Sequence, residues 1–484
     1  MKHNILFLNL LATSALCVFS LGCIEDVTRV DWDVDVDQYV TPDADGFHDA
    51  DPFPDADLLP VDRGVVPDVP SRRDADLPPV PPEVDAVTPP SIEDAGPRED
   101  ANPRADVGMG PRIVPSEEVC NGRDDDLDGR MDEGFALTLN REAMVLDEGR
   151  EVRGQDVSLV PLDDDAYMAI WNRSEGAALP RPFGALVDLS RWRSDPRGRL
   201  SAGHRFAHWY PGPGQDVFAV GSGENPRFRL RSGHFDVATG ETVRWGVQPN
   251  GPACSFGTGA WAGNGHLVGF RFHTEDFTRI NALGRMSADG ALVDWMLVDD
   301  GPSAGGVAVA ASPSGAAAVW GGSGRRLHIA LADSRAQVFA RLDLEGIDAR
   351  DDSRGTPWSI APYGDQWMVA VALGGQGDSS GIMVLRVGDD GVMGRYTFAQ
   401  GRVFNELSLV SQGTAAVLVA QEPNGSTTAW RLAGSTALHE LSLEITGHVA
   451  VAPTADGALL MNSTPRGADR PATIELRALS CQPE

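Results

Sequence analysis

The chain has 484 residues, with 70 acidic side chains against 40 basic ones and a formal net charge of −30. That balance excludes a binder of phosphate backbones, which needs clustered Lys or Arg; the only lysine is Lys2. After the first 23 residues no apolar run is long enough to span a bilayer.

Lys2 and His3 precede an apolar stretch from Ile5 to Phe19, the order of a signal peptide. The stretch ends in Ser20-Leu21-Gly22-Cys23 and turns strongly polar at once. This ending resembles the lipobox of bacterial lipoproteins, with Ser20 where that family prefers Leu. The resemblance implies cleavage before Cys23, acylation of Cys23, and anchorage to a membrane through the lipid. Ile24 in place of an aspartate points to the outer membrane or cell surface. Ordinary cleavage followed by secretion is the alternative.

Residues 24–119 hold 25 acidic residues against 7 arginines, and 16 of the 34 prolines. Low hydrophobicity, self-repelling charge and proline leave nothing to offset the entropy of ordering. The segment reads as an extended, disordered tether. A solvated stalk accounts for its aspartates better than a calcium sponge does.

Glu117 to Gly134 then spell EEVCNGRDDDLDGRMDEG. Alternate carboxylates Asp124, Asp126 and Asp128, a glycine at the sixth position, the Arg130 carbonyl, then Asp132 and Glu133 form an oxygen-donor set for one hard cation. The twelfth position is Phe135, so the bidentate glutamate of an EF-hand is missing and Glu133 must stand in. The stretch resembles the short MopE-like metal-binding motif of secreted and surface bacterial proteins, with Leu127 where that family has a second cysteine. The family has been linked to copper. The donors here are all oxygens, and copper selects softer or imidazole ligands, so the chemistry favours Ca2+. An acidic turn continuing the stalk is the plainer alternative.

With Cys17 in the signal peptide and Cys23 the lipid site, Cys120, Cys254 and Cys481 remain. An exported chain tolerates disulfides. Cys120 and Cys481 bracket the C-terminal region; if that region is a closed ring its ends meet, which predicts a Cys120–Cys481 bond and a free, buried Cys254.

From about residue 136 the chain becomes short apolar runs broken by Gly, Asp and Ser, with no helical period. One hairpin-like pattern recurs at 306–320, 358–372, 407–420 and 448–461, with turn glycines Gly315, Gly364, Gly413 and Gly457 spaced 49, 49 and 44 residues apart. Weaker copies lie at 157–171, 205–221 and 255–270. A second hairpin follows, as at 280–295, 382–396 and 428–441. Two hairpins in about fifty residues is the size of a propeller blade.

The expected fold is therefore all-β, a β-propeller of seven blades, with six or eight blades or two stacked β-sandwiches as alternatives. The last copy has only three strands, and 135–140 is the strand available to complete it. The chain divides into signal peptide (1–22), disordered acidic Pro-rich tether (23–115), metal-binding loop (116–135) and propeller-like domain (136–484). Neither the WD40 Gly-His…Trp-Asp signature nor the kelch diglycine recurs.

No catalytic set stands out. Gly301–Gly305 and Gly377–Gly381 spell G-x-S-x-G but lead into strands, whereas a nucleophile elbow leads into a helix. His204, His208, His266 and His273 read as sheet surface, Asp163–Asp165 and Asp351–Asp352 as turns, and Trp171 and Trp320 as packing residues. The expected function is a cell-surface interaction module whose propeller docks an unknown protein or glycan, with no nucleic acid partner. The alternative is an extracytoplasmic hydrolase or lyase acting on polysaccharide or envelope material.

Overall fold

A computed structural model describes Cys120, Asp125–Asp126 and, with short interruptions, residues 135–483. The signal peptide, Cys23, the tether, and Asp124, Asp128, Arg130, Asp132 and Glu133 lie outside the described residues. The chain divides into Met1–Asn102 and Pro103–Glu484, and every described residue belongs to the second unit.

Two strands at the start, β1 (Phe135–Leu139) and β2 (Met144–Gly149), are followed by six sets of four. These are β3 (Val152–Asp163), β4 (Ala166–Arg173), β5 (Arg181–Asp188) and β6 (Arg193–Arg199); β7 (Phe206–Pro211), β8 (Val217–Ser222), β9 (Leu230–Asp236) and β10 (Glu241–Val247). Next come β11 (Cys254–Trp261), β12 (His266–His273), β13 (Arg279–Met286) and β14 (Leu292–Leu297); β15 (Ala308–Ser312), β16 (Gly315–Gly322), β17 (Arg326–Asp333) and β18 (Val338–Glu345). The last two sets are β19 (Trp358–Tyr363), β20 (Gln366–Gly374), β21 (Ser380–Gly388) and β22 (Gly391–Phe398); β23 (Glu406–Gln412), β24 (Ala415–Gln421), β25 (Thr427–Ala433) and β26 (Thr436–Leu443). Each set is one antiparallel meander. The chain ends with β27 (Val449–Thr454), β28 (Gly457–Thr464) and β29 (Ala472–Pro483).

The seventh sheet is completed from the front of the domain. β1 pairs antiparallel with β29, Leu137 opposite Cys481 and Leu139 opposite Leu479. β2 continues along the same edge, Met144 opposite Leu476. The first strands β3, β7, β11, β15, β19, β23 and β27 contact one another in that cyclic order, and β27 returns to β3. Seven apolar clusters fill the seven seams between neighbouring sheets, one each. The fold is a closed seven-bladed β-propeller.

The seams explain the sequence texture. A second strand is covered on both faces by neighbouring blades, so β16 and β20 are almost continuously buried. The outer strand faces solvent on one side, so β18 alternates half-buried and exposed. The repeating turn glycines serve two purposes. Gly364 and Gly413 take positive φ of 60° and 62°. Gly315 and Gly457 begin second strands, where a Cβ would meet Ala332 O at 2.2 Å and Leu479 O at 2.1 Å.

One seam tests how tightly blades fit. A Cβ at Gly321, on β16, would stand 2.7 Å from the ring of Trp358 on the next blade. Trp358 is 1% exposed and its Nε1 donates to Gly306 O at 2.9 Å, so the ring cannot retreat. Gly321→Ala is expected to cost about 1–3 kcal/mol by overpacking; an unchanged midpoint in urea unfolding would show that this seam has slack.

Candidate functional site

Where inner strands turn into second strands, two clefts open side by side. One, of about 240 Å³, is lined by Cys120, Leu137, Ser411, Val417, Arg431 and Asp456 among others. The other, of about 280 Å³, runs past Pro161, Asp163, Tyr167 and Pro453. They share Ser411, Thr454 and Ala455, and so straddle blades six, seven and one. Hydroxyls at these turns cross two of the seams, seven–one and five–six. Tyr167 Oη donates to Pro453 O at 2.6 Å, Ser411 Oγ donates to Pro362 O, and Tyr363 Oη accepts from Gly434 N at 2.6 Å.

Cys120 at the rim is disulfide-bonded to Cys481, with the two Cα atoms 6.2 Å apart. Since Leu137 is the β-partner of Cys481, the chain leaves the last strand at Cys120 and rejoins it at β1. The segment between them is thereby tied at both ends to one place on the propeller. Of the expected metal ligands only Asp126 lies among the described residues, half-buried beside Asp125. Among the described residues no three His, Cys, Asp or Glu side chains gather as a metal site. Cys254 is free and 1% exposed, and burial pushes its thiol up to about 12.

The seven first strands, which line the ring axis, divide into two groups. β11, β15, β19 and β27 contain no Asp, Glu, His, Lys or Arg. The other inner strands bring Glu406, His208 and, on β3, Arg153, Asp156 and Asp163. Ser379 of the second G-x-S-x-G lies in a 3-10 turn leading into β21, and Ser380 Oγ donates to Gly377 O at 2.8 Å. This turn is a strand lead-in without the helix that a nucleophile elbow requires.

Polar chemistry concentrates in the seams. Trp171 Nε1 donates to Asp147 at 2.7 Å, and Trp320 Nε1 donates to Asp299 at 2.8 Å. In both, an aspartate on or just after one blade's outer strand holds a tryptophan near the end of the next blade's second strand. In the second clasp His328 stacks on Trp320 and lies 4.0 Å from Asp299 and 2.5 Å from Asp343. Burial raises the Asp299 carboxyl above its ordinary value, whereas the His328 hydrogen bond lowers that of Asp343. A third clasp sets Arg402 over the rings of both Phe404 and Trp430, bonded to Glu422 and Glu440.

Trp171 and Trp320 are packing residues, as their positions implied. The aspartate clasps were not read from the sequence, although the 24- and 21-residue separations between Trp and Asp would emerge from aligning the copies. His266 is a correction. It is 0% exposed, not on the sheet surface, enclosed by Tyr210, Phe218 and Trp261. β12 is a second strand covered on both faces, so alternation gives its residues no solvent side. His204 lies outside the described residues.

No protein-family model matches this chain, and no curated protein does. Solved structures similar to it include the WD40 domain of Toxoplasma gondii coronin, at 8% identity over 72% of this chain and 87% of that one, TM-score 0.49. The RRP9 WD40 repeats match at 11% identity over 70% and 100%, TM-score 0.45. A fungal alcohol oxidase of the AA5 family, in complex with copper, matches at 11% over 71% and 76%, TM-score 0.45.

Proposed function

We propose that this chain is a surface-displayed interaction module: a propeller carried on an acidic tether from a lipidated Cys23, with a Ca2+-binding loop at the junction. The supporting observation is the inner wall, in which four of seven strands carry no Asp, Glu, His, Lys or Arg. A propeller hydrolase or lyase needs an acid and a base converging near the axis. A face of turns and shallow clefts suits docking of a protein or glycan instead. Incubation with acidic and neutral polysaccharides should yield no new reducing ends; their appearance would overturn this reading in favour of the enzyme.

The loop carries its own test. Asp124, Asp126, Asp128, the Arg130 carbonyl, Asp132 and Glu133 supply hard oxygen donors for Ca2+, and the disulfide with β1 closes the loop at its base. Saturating Ca2+ should raise the melting temperature of the full chain relative to chelator, by mass action on the folded state. Asp126→Ala should remove that difference. Equal melting with and without chelator rules the metal out. For the anchor, radiolabelled palmitate should enter the wild type and not Cys23→Ser.

A further inference from the structure

The N-terminal segment is joined to the propeller at two places of unequal strength. Along the chain the first strand is β1, five residues long and paired on one edge, with β29. A strand held by one ladder can be stripped off pair by pair, here from Phe135–Pro483 to Leu139–Leu479. Each such backbone hydrogen bond is worth only about 1 kcal/mol net. Cys120 comes before β1 and is covalently joined to Cys481 on β29. β29 lies inside its sheet, in register with β28 from Gly457–Ser480 to Thr464–Thr473 and with β1 and β2 on its other edge. Its Ile474 and Leu476 fill the seam with blade one, and its Leu479 fills the seam with blade six. Drawing β29 out therefore breaks two ladders and opens two seams, whereas drawing β1 out breaks one ladder.

We propose that the Cys120–Cys481 bond is a mechanical shunt, which passes a pull arriving along the N-terminal segment into β29 and around residues 121–134 and β1. The inference rests on the reading of that segment as a tether fixed at Cys23, since a chain anchored at one end and docked to a partner at the other is pulled between them. Without the bond the same pull would run first through residues 121–134 and then into the Phe135 end of β1. It would strip away the strand that closes the ring while the anchor was under tension. With the bond, β1 stays on the edge of β29 and carries none of the pull. Residues 121–134, which hold most of the oxygen donors proposed for Ca2+, are spared stretching as well. The position of the bond is what achieves this: Cys481 lies directly opposite Leu137, so pull and closing strand meet at one point of β29.

Optical-trap pulling of the full chain tests this, with one handle at the N-terminus and the other on p-azidophenylalanine in place of Ser314. Ser314 is exposed in the turn between β15 and β16, so this handle grips two inner strands of blade four and does not itself peel an outer one. Beyond the elastic stretch of the N-terminal segment, the oxidised chain should show no lengthening before a blade unfolds. In reductant the same molecules should open at lower force and become about 80 Å longer before any blade unfolds, the span of residues 121–143 drawn out at about 3.5 Å each. Cys254→Ser should behave as the wild type in both states. The readout needs no membrane, so its failure and the failure of the palmitate experiment are separate results. Identical traces with and without reductant, or an early lengthening of about 80 Å while the bond is intact, would overturn the proposal.

Discussion

Cys481→Ser is expected to lower the melting temperature by about 5–10 °C, the largest effect of any single substitution considered. The bond joins residues 361 apart in sequence and so removes a great deal of freedom from the unfolded chain. A loop of that length corresponds to about 6 kcal/mol in the chain-entropy estimate, above the usual yield of about 2–4 kcal/mol. Position adds to length. The bond lies where β1 meets the end of β29, so its loss also frees the strand that completes the seventh blade. Thiol reductant should shift the wild type by the same amount and leave Cys481→Ser unmoved. Cys254→Ser should remain reductant-sensitive, because Cys254 belongs to the second–third blade seam and not to the bond. A wild-type transition indifferent to reductant would contradict the assignment of a structural role to this bond.

The second large effect is acid lability between pH 6.5 and 4. Burial holds the His266 imidazole down at about 4, against an ordinary value near 6.5. Its Nε2 lies 3.4 Å from Ala288 O, and its Nδ1 meets no partner among the described residues. The same cause holds His208, on the innermost strand beside Tyr210, at about 4. In this window the unfolded chain binds protons that the folded chain refuses. Stability is therefore fully present above pH 6.5 and is lost as pH falls towards 4. A depression of this size corresponds to about 3 kcal/mol for His266, and less for His208, which is only half-buried as a residue. His266→Phe keeps an aromatic ring in the enclosure and should flatten the urea-midpoint profile across this range. Asp299 acts with opposite sign, since protonating a buried carboxylate whose value is raised stabilises the folded form at low pH. The variant, compared with wild type, isolates the histidine. Parallel profiles for the two would refute the account of His266.

The blades were legible because each inner pair repeats two physical requirements at once. A turn must be tight enough for Gly364 or Gly413, and the strand after it must be apolar on both faces to fill two seams. The incomplete last copy was legible by counting, and β1 supplies the strand it lacked. The extension by β2 was not, since Met144–Gly149 carries Asp147, Glu148 and Gly149 and resembles a loop in isolation. Its meaning appears only when Asp147 reaches Trp171 across the seam. His266 and the Asp299–His328–Asp343 chain escaped for the same reason. Their partners come from other strands and neighbouring blades, and strand periodicity describes one strand's two faces without saying what covers them.

The ring closes through a strand borrowed from the start of the domain, and amide hydrogen exchange at that strand reports on the closure. The Asn140 N–H donates to Ala478 O at 2.8 Å, and Leu137 and Leu139 lie in register with Cys481 and Leu479. Amides of β1 engaged in this pairing should exchange only with global unfolding, as slowly as those of β29. Exchange of Phe135–Asn140 at the rate of an unstructured peptide, while β28 and β29 stay protected, would contradict the closure and the architecture built upon it.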